Sequence, residues 1–315
     1  MSELKALRLA LAGAVWLAAS PAMAAAPTAV PRTLPDIPLY DGAIPNAVAR
    51  PLQELAAGIS GGRVGSASPR PTLTVWLPAA TRNSHTAVLL FPGGAFVFLS
   101  KDWEGEWIAR ELADRGITAV VVNYRVPSDV TMKDKSIGPL QDAQQALRVV
   151  RQHAAEWGIR ADRVGVMGFS VGGHVAAMAS TQFGQALVPN PDNTSLRPDF
   201  SVLVYPLISM QPALTHLESR TNLLGKTPTD AQIRRFSADL QVSDKTPPTL
   251  LLAASDDDVV DVGNSVAYYQ ALRQHHVPAS MVLLPDGGHG FFLAGRNRWL
   301  DPLWAWLQHD GWLTP

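Results

Sequence analysis

The chain has 315 residues, 47% of them hydrophobic and 17% charged, a balance that supports a sizeable core within one large α/β domain. Its net charge of -1, without any long run of like charge, gives no broad basic field, so nucleic acid is not an expected partner. The chain has no cysteine, which excludes both a disulfide framework and thiol chemistry.

Lys5 and Arg8 precede the apolar run 9–19, and Ala22-Met23-Ala24 offers small residues at a cleavage site. Residues 1–24 therefore read as a secretory signal peptide cut after Ala24. The run is too short to span a bilayer comfortably, so a membrane anchor is disfavoured and export to the periplasm or the medium is expected, with no membrane association after cleavage. Residues 25–71 form an N-terminal extension that carries the first strands; as far as Pro51 it is rich in Pro and Ala and reads as extended or irregular.

From residue 72 the pattern becomes regular and runs to residue 315 as one domain. Segments 72–77 and 86–91 read as strands, 104–115 as a helix, 117–124 as a β-branched strand and 140–157 as a helix. Val164, Val166 and Met167 mark a buried strand that passes directly into an apolar helix at Val175 to Met178. Segments 200–207, 249–254 and 280–284 read as strands, and 266–275 and 299–307 as helices. Strands alternating with helices predict a mainly parallel sheet covered on both faces, with reactive groups in the loops beyond the carboxyl ends of its strands. The alternation lapses after about residue 207. A polar stretch over about 208–246, with a helix over 230–240, reads either as a small lid lining a pocket or as a plain surface excursion.

At the strand-to-helix junction stands Gly168-Phe169-Ser170-Val171-Gly172, a GxSxG sequence in the setting that gives it meaning. A serine hydroxyl is a weak nucleophile unless a base lies within hydrogen-bond reach, and a tight turn exposes it on one side. The helix that follows aims its N-terminal N–H groups where negative charge would develop. Of eight histidines, His289 is the expected base, because it follows a strand and has glycine on both sides. His153, His275 and His276 belong to helices, His85 to a strand start, His216 to the insertion and His309 to the last helix, while His174 lies on the serine's own helix and is expected to point along it. An acid to orient the imidazole is expected from Asp256, Asp257 or Asp258, just past the strand 249–254, the other two capping the next helix. Asp261 and Asp286 are reserves that read first as turn or cap residues. Phe91-Pro92-Gly93-Gly94-Ala95-Phe96 lies where an oxyanion loop would stand, with Gly93 and Gly94 as donors, Ala95 less suited, and Val171 N–H as the further donor. A phosphate-binding loop would require a lysine that is missing here. Trp103 and Trp107 could stack on sugar rings, but the helix pattern favours core positions for both.

Taken together, these features resemble the α/β-hydrolase superfamily, and within it the acetyl esterase and acetylxylan esterase-like group often found beside xylanases. The resemblance covers about residues 72–292. It rests on FPGGAF at 91–96, Glu104-Gly105, Asn123-Tyr124-Arg125-Val126-Pro127, Asp142 with Arg148 and Arg151, GFSVGGH at 168–174, Arg197-Pro198-Asp199, Asn222-Leu223-Leu224-Gly225, Asp256-Asp257 and Gly287-Gly288-His289-Gly290-Phe291. Pro92 replaces the usual histidine and Ala95 the third glycine. The group's Asp-x-x-Val-Pro pattern selects Asp257, followed by Val260, but Asp261 stands in place of the proline and keeps Asp256 open. The resemblance implies an α/β-hydrolase fold and a Ser170, His289 and Asp257 triad that cleaves short acyl, chiefly acetyl, esters of plant polysaccharide or oligosaccharide through an acyl-enzyme. That chemistry requires no metal or organic cofactor. A generic short-chain carboxylesterase is the nearest rival, and a non-catalytic binding protein on a hydrolase scaffold the rival from another class.

Overall fold

The computed structural model describes residues 30–48, 70–291 and 297–314. The expected signal peptide at 1–24 lies outside the described residues, as does most of the 25–71 extension. No helix among the described residues is long and apolar enough to cross a membrane.

Among the described residues nine strands form one sheet: β1 (Arg32–Thr33), β2 (Ile37–Pro38), β3 (Thr72–Leu77), β4 (Ala87–Phe91), β5 (Thr118–Asn123), β6 (Val164–Phe169), β7 (Ser201–Val204), β8 (Thr249–Ala254) and β9 (Ala279–Leu284). Their order is β1-β3-β5-β4-β6-β7-β8-β9, with β2 also paired to β3. Every pair from β5 to β9 is parallel, while β3 runs antiparallel to β5. The central strands β4 to β8 are buried along their whole length. That follows from unbroken apolar runs such as AVLLF and VGVMGF, which suit strands covered on both faces.

On one face the helices Gly138–Gln152, Val171–Thr181 and Gly263–Gln274 enclose a core with Leu89, Val166, Leu147, Val175 and Leu272. On the other face the helices Ile108–Asp114 and Asn297–His309 pack Ile108, Leu112, Trp299 and Leu303 against Phe169 and Val202. Burying each such large apolar side chain contributes about 1.5–3 kcal/mol, set against the conformational entropy of the ordered chain.

Several elements depart from their expected bounds, among them the helix expected over 140–157, which runs Gly138–Gln152, and three do so for local reasons. The strand expected over 200–207 ends at Val204, because Tyr205 adopts φ 37° and Pro206 follows. The helix expected over 104–115 opens as a π-helical turn, Lys101–Trp107, before the regular helix Ile108–Asp114. The stretch 208–246 carries a helix that the pattern does not announce, Leu217–Leu224, and then Asp230–Arg235, started by a capping box between Thr229 and Gln232, and a 3-10 turn at Ala238–Leu240. Only Leu217, Leu223 and Leu224 supply apolar surface in the unannounced helix, too few for a helical period to show.

The N-terminal segment is tied to the domain through a buried cluster. Asp142 accepts from the Arg125 guanidinium at 2.8 Å, from the Arg125 backbone N–H at 2.8 Å and from the Tyr40 hydroxyl at 2.9 Å. Arg125 also donates to the Pro45 carbonyl at 3.0 Å. With every carboxylate oxygen bonded, the buried charge of Asp142 is compensated.

Candidate active site

Ser170 occupies the sharp turn between β6 and the helix Val171–Thr181, with φ 53° and ψ -120°. A non-glycine residue persists in such a conformation only where its surroundings over-determine it. The turn is closed by backbone bonds from Ser170 N–H to the Val204 carbonyl at 3.1 Å and from Leu207 N–H to the Ser170 carbonyl at 3.0 Å. The flanking glycines are required by close approach. A Cβ on Gly168 would lie 2.2 Å from the Gly172 carbonyl oxygen, and one on Gly172 would lie 1.9 Å from that of Phe91.

His289 Nε2 lies 3.0 Å from Ser170 Oγ, and its Nδ1 lies 2.8 Å from Asp257 Oδ2. An ionised carboxylate can only accept, so Nδ1 carries the proton and Nε2 is left to receive one from the serine. Asp257 is almost wholly buried, and its other oxygen accepts the N–H groups of Val259 at 3.0 Å and Val260 at 2.9 Å. Four hydrogen bonds thus fix a relay from carboxylate to hydroxyl across the ends of β6 and β8 and the loop after β9.

The neighbouring carboxylates are sorted by their partners. Asp256 accepts from Gly288 N–H at 2.8 Å and Gly287 N–H at 3.1 Å, and these bonds hold its carboxyl below the usual range. It grips the loop that carries His289 and does not cap the next helix as expected. Asp261 accepts from Gly263 N–H at 2.6 Å where that helix starts, and Asp286 pairs with Arg298, so both reserves have local roles.

In the loop after β4 one expected donor is already engaged. Gly93 N–H, expected as a donor to substrate, is occupied by Glu104 Oε2 at 2.7 Å. A buried acceptor held at that distance leaves the N–H unavailable to a transient ligand. Gly94 N–H and Ala95 N–H have no acceptor among the described residues, and Val171 N–H, at the first position of its helix, has no intrahelical one. Gly94, Ala95 and Phe96 all have positive φ, at 127°, 53° and 60°. The Asn222 side chain, from the helix Leu217–Leu224, donates to the Ala95 carbonyl at 2.9 Å and so ties the stretch 208–246 to this loop.

Four neighbours of the site were not singled out from the sequence as part of it: Glu104, Tyr205, Asn222 and His174. Glu104, Asn222 and His174 stand within the motifs that carry the family resemblance, which was the available signal for them; Tyr205 carried none. His174 does not point along its helix. It is buried, donates through Nε2 to the Phe236 carbonyl at 2.7 Å and meets the Phe96 ring edge-on at 5.9 Å. Burial lowers its pKa from the usual 6.5 to about 4. Between those values the unfolded chain binds the extra proton, so stability is full above about pH 6.5 and is lost as pH falls toward 4. A loss of about 3 kcal/mol is expected over that window. Urea unfolding of His174→Gln beside the wild type checks this: the variant should show the shallower fall, and equal slopes would exclude His174 as the source.

Trp103 is 48% exposed, against the expectation of a core position, whereas Trp107 packs on Trp299 with ring centroids 6.4 Å apart. The outward turn of Trp103 follows from the π-helical turn, which aims Glu104 inward. No three His, Asp or Glu side chains among the described residues are grouped so as to hold a metal ion.

A family model described as BD-FAE matches residues 73–272. An acetylxylan esterase from Xylanibacter ruminicola is 36% identical over 233 residues, which is 71% of this chain and 46% of that protein. Endo-1,4-beta-xylanase B from Butyrivibrio fibrisolvens is 35% identical over 210 residues, 66% of this chain and 32% of that protein. The chain thus spans less than half the length of either relative. Among solved structures, an acetyl ester-xyloside bifunctional hydrolase from Caldicellulosiruptor lactoaceticus superimposes with a TM-score of 0.73 at 31% identity, covering 91% of this chain and 98% of that one. A family match over well over half of the sequence, on a mainly parallel sheet, leads to one assignment: the chain belongs to the BD-FAE family of α/β-hydrolases.

Proposed function

We propose that the protein is a serine esterase that removes short acyl groups, chiefly acetyl, from plant polysaccharide or its oligosaccharides, with acetylated xylan as the substrate to test. The observation that carries this reading is the Asp257, His289 and Ser170 relay, with both contacts of the imidazole at 3.0 Å or less. His289 takes the Ser170 proton as Oγ attacks the ester carbonyl. The developing oxyanion is received by the N–H groups of Gly94 and Val171, each worth roughly a hundredfold to a thousandfold in rate. His289 then returns the proton to the leaving alcohol, and water admitted to the same face clears the acyl-enzyme with His289 again as base. No step calls on a metal or an organic cofactor.

The sugar part of the proposal rests on the similarity to a xylan-directed esterase and to a bifunctional acetyl ester-xyloside hydrolase. On the same reading the stretch 208–246 lines the pocket as a small lid, supported by the Asn222 and Phe236 contacts. The test is acetate release from acetylated xylan beside hydrolysis of p-nitrophenyl acetate and butyrate. Acetate from xylan is the expected result; activity confined to the small esters would return the protein to a generic short-chain carboxylesterase.

A further inference from the structure

Glu104 is a buried carboxylate that the hydrolytic mechanism does not use, only 7% exposed at the centre of the π-helical turn Lys101–Trp107. Its two oxygens reach opposite sides of the site. Oε2 accepts the Gly93 N–H at 2.7 Å, from the loop after β4, and Oε1 accepts the Tyr205 hydroxyl at 2.9 Å, from the turn after β7. The Tyr205 ring in turn meets the His289 imidazole, with centroids 4.8 Å apart and planes inclined at 62°. On the loop side, a Cβ on Gly93 would stand 2.9 Å from Ser170 Cβ and 3.0 Å from Glu104 Oε2, so carboxylate, loop and nucleophile are packed without slack.

From this geometry we infer that Glu104 is a positioning residue, a clamp of fixed span that sets the oxyanion loop and the general base in register with each other. The inference rests on the serine-esterase reading and extends it. Stability alone does not account for a carboxylate here, because an apolar side chain of similar size is usually as good in a buried site. What the carboxyl supplies is two hydrogen-bond anchors, and it supplies them where the backbone is strained, with Tyr205 at φ 37°, Ala95 at 53° and Phe96 at 60°. Such strain survives only under restraint. Full charge is not what the site needs from Glu104, since a negative group close to a developing oxyanion would oppose it. Burial pushes the Glu104 carboxyl up, toward the neutral form, which still accepts the Gly93 N–H and still bonds Tyr205.

Clamp and charge make opposite demands on two substitutions. Glu104→Gln keeps the length and offers one acceptor and one donor in the same places. Glu104→Asp keeps the charge but shortens the side chain by about 1.5 Å, so it cannot reach both partners. Steady-state kinetics on p-nitrophenyl acetate, normalised to folded protein by circular dichroism, should show that Gln retains most of kcat. In Asp, kcat should fall roughly tenfold to a hundredfold with KM little changed, the cost of a misplacement of about 1 Å. Tyr205→Phe, which keeps the ring and removes one anchor, should lower kcat in the same sense and serves if the Asp variant does not fold. An Asp variant more active than the Gln variant, wild-type kcat in Asp and Tyr205→Phe alike, or a loss that appears in KM alone overturns the clamp. Ser170→Ala is measured alongside: turnover that survives it sinks the triad reading, whereas turnover lost there but untouched in Glu104→Asp sinks the clamp only.

Discussion

Ser170→Ala should lower kcat/KM for p-nitrophenyl acetate by roughly ten-thousandfold to a millionfold, the range seen when the nucleophile of such a relay is removed. The size follows from the geometry. Without Oγ there is no acyl-enzyme, and His289 Nε2, 3.0 Å from where Oγ stood, can at best activate a water that nothing holds in line. What remains is the stabilisation given by the oxyanion donors and by binding. The fold should be unaffected, because the bonds that close the turn involve the Ser170 main chain and not its hydroxyl. Thermal unfolding near that of the wild type, together with lost turnover, is therefore the expected pair of observations. Mass spectrometry gives an independent reading: a fluorophosphonate should add to the wild-type peptide containing Ser170 and leave the variant unmodified. Near-wild-type hydrolysis by the variant would remove Ser170 from the mechanism.

The legible part of the site is the part that backbone geometry imposes on residue type. Gly168 and Gly172 could be read as necessary because a turn that exposes a serine leaves no room for a Cβ, and the clashes at 2.2 Å and 1.9 Å bear this out. A mainly parallel sheet covered on both faces was legible because β4 to β8 are buried along their length and their sequences are accordingly unbroken in apolar character. What could not be read were contacts between side chains far apart in the chain. The sequence of the oxyanion loop gives no sign that Glu104, eleven residues on, takes the Gly93 N–H. Trp103 was read as core on the assumption of a regular helix, and one π-helical turn reversed which neighbour points inward. The helix Leu217–Leu224 is held by tertiary contacts such as Asn222 to the Ala95 carbonyl, and its own sequence has little period to show.

The three successive aspartates after β8 illustrate the same limit and lead to the second large effect. Residue type alone leaves Asp256, Asp257 and Asp258 open as the acid. The structure buries Asp257 against His289 Nδ1 at 2.8 Å and turns Asp256 toward the N–H groups of Gly287 and Gly288. Asp257→Asn should therefore lower kcat by roughly ten-thousandfold, because an amide nitrogen facing Nδ1 favours the tautomer with the proton on Nε2, which cannot accept the serine proton. The Val259 and Val260 N–H bonds can still be met by the amide oxygen, so the loop should keep its shape and KM should change little. Asp256→Asn is the control that separates orientation of the imidazole from support of its loop. An amide oxygen can take one glycine N–H but an amide NH2 cannot take the other, so one anchor is lost while the relay itself stays intact. Its expected effect is a much smaller drop in kcat with an unchanged pH profile. The reverse order, with Asp256→Asn inactive and Asp257→Asn active, would transfer the acid's role to Asp256, and that single comparison decides between them.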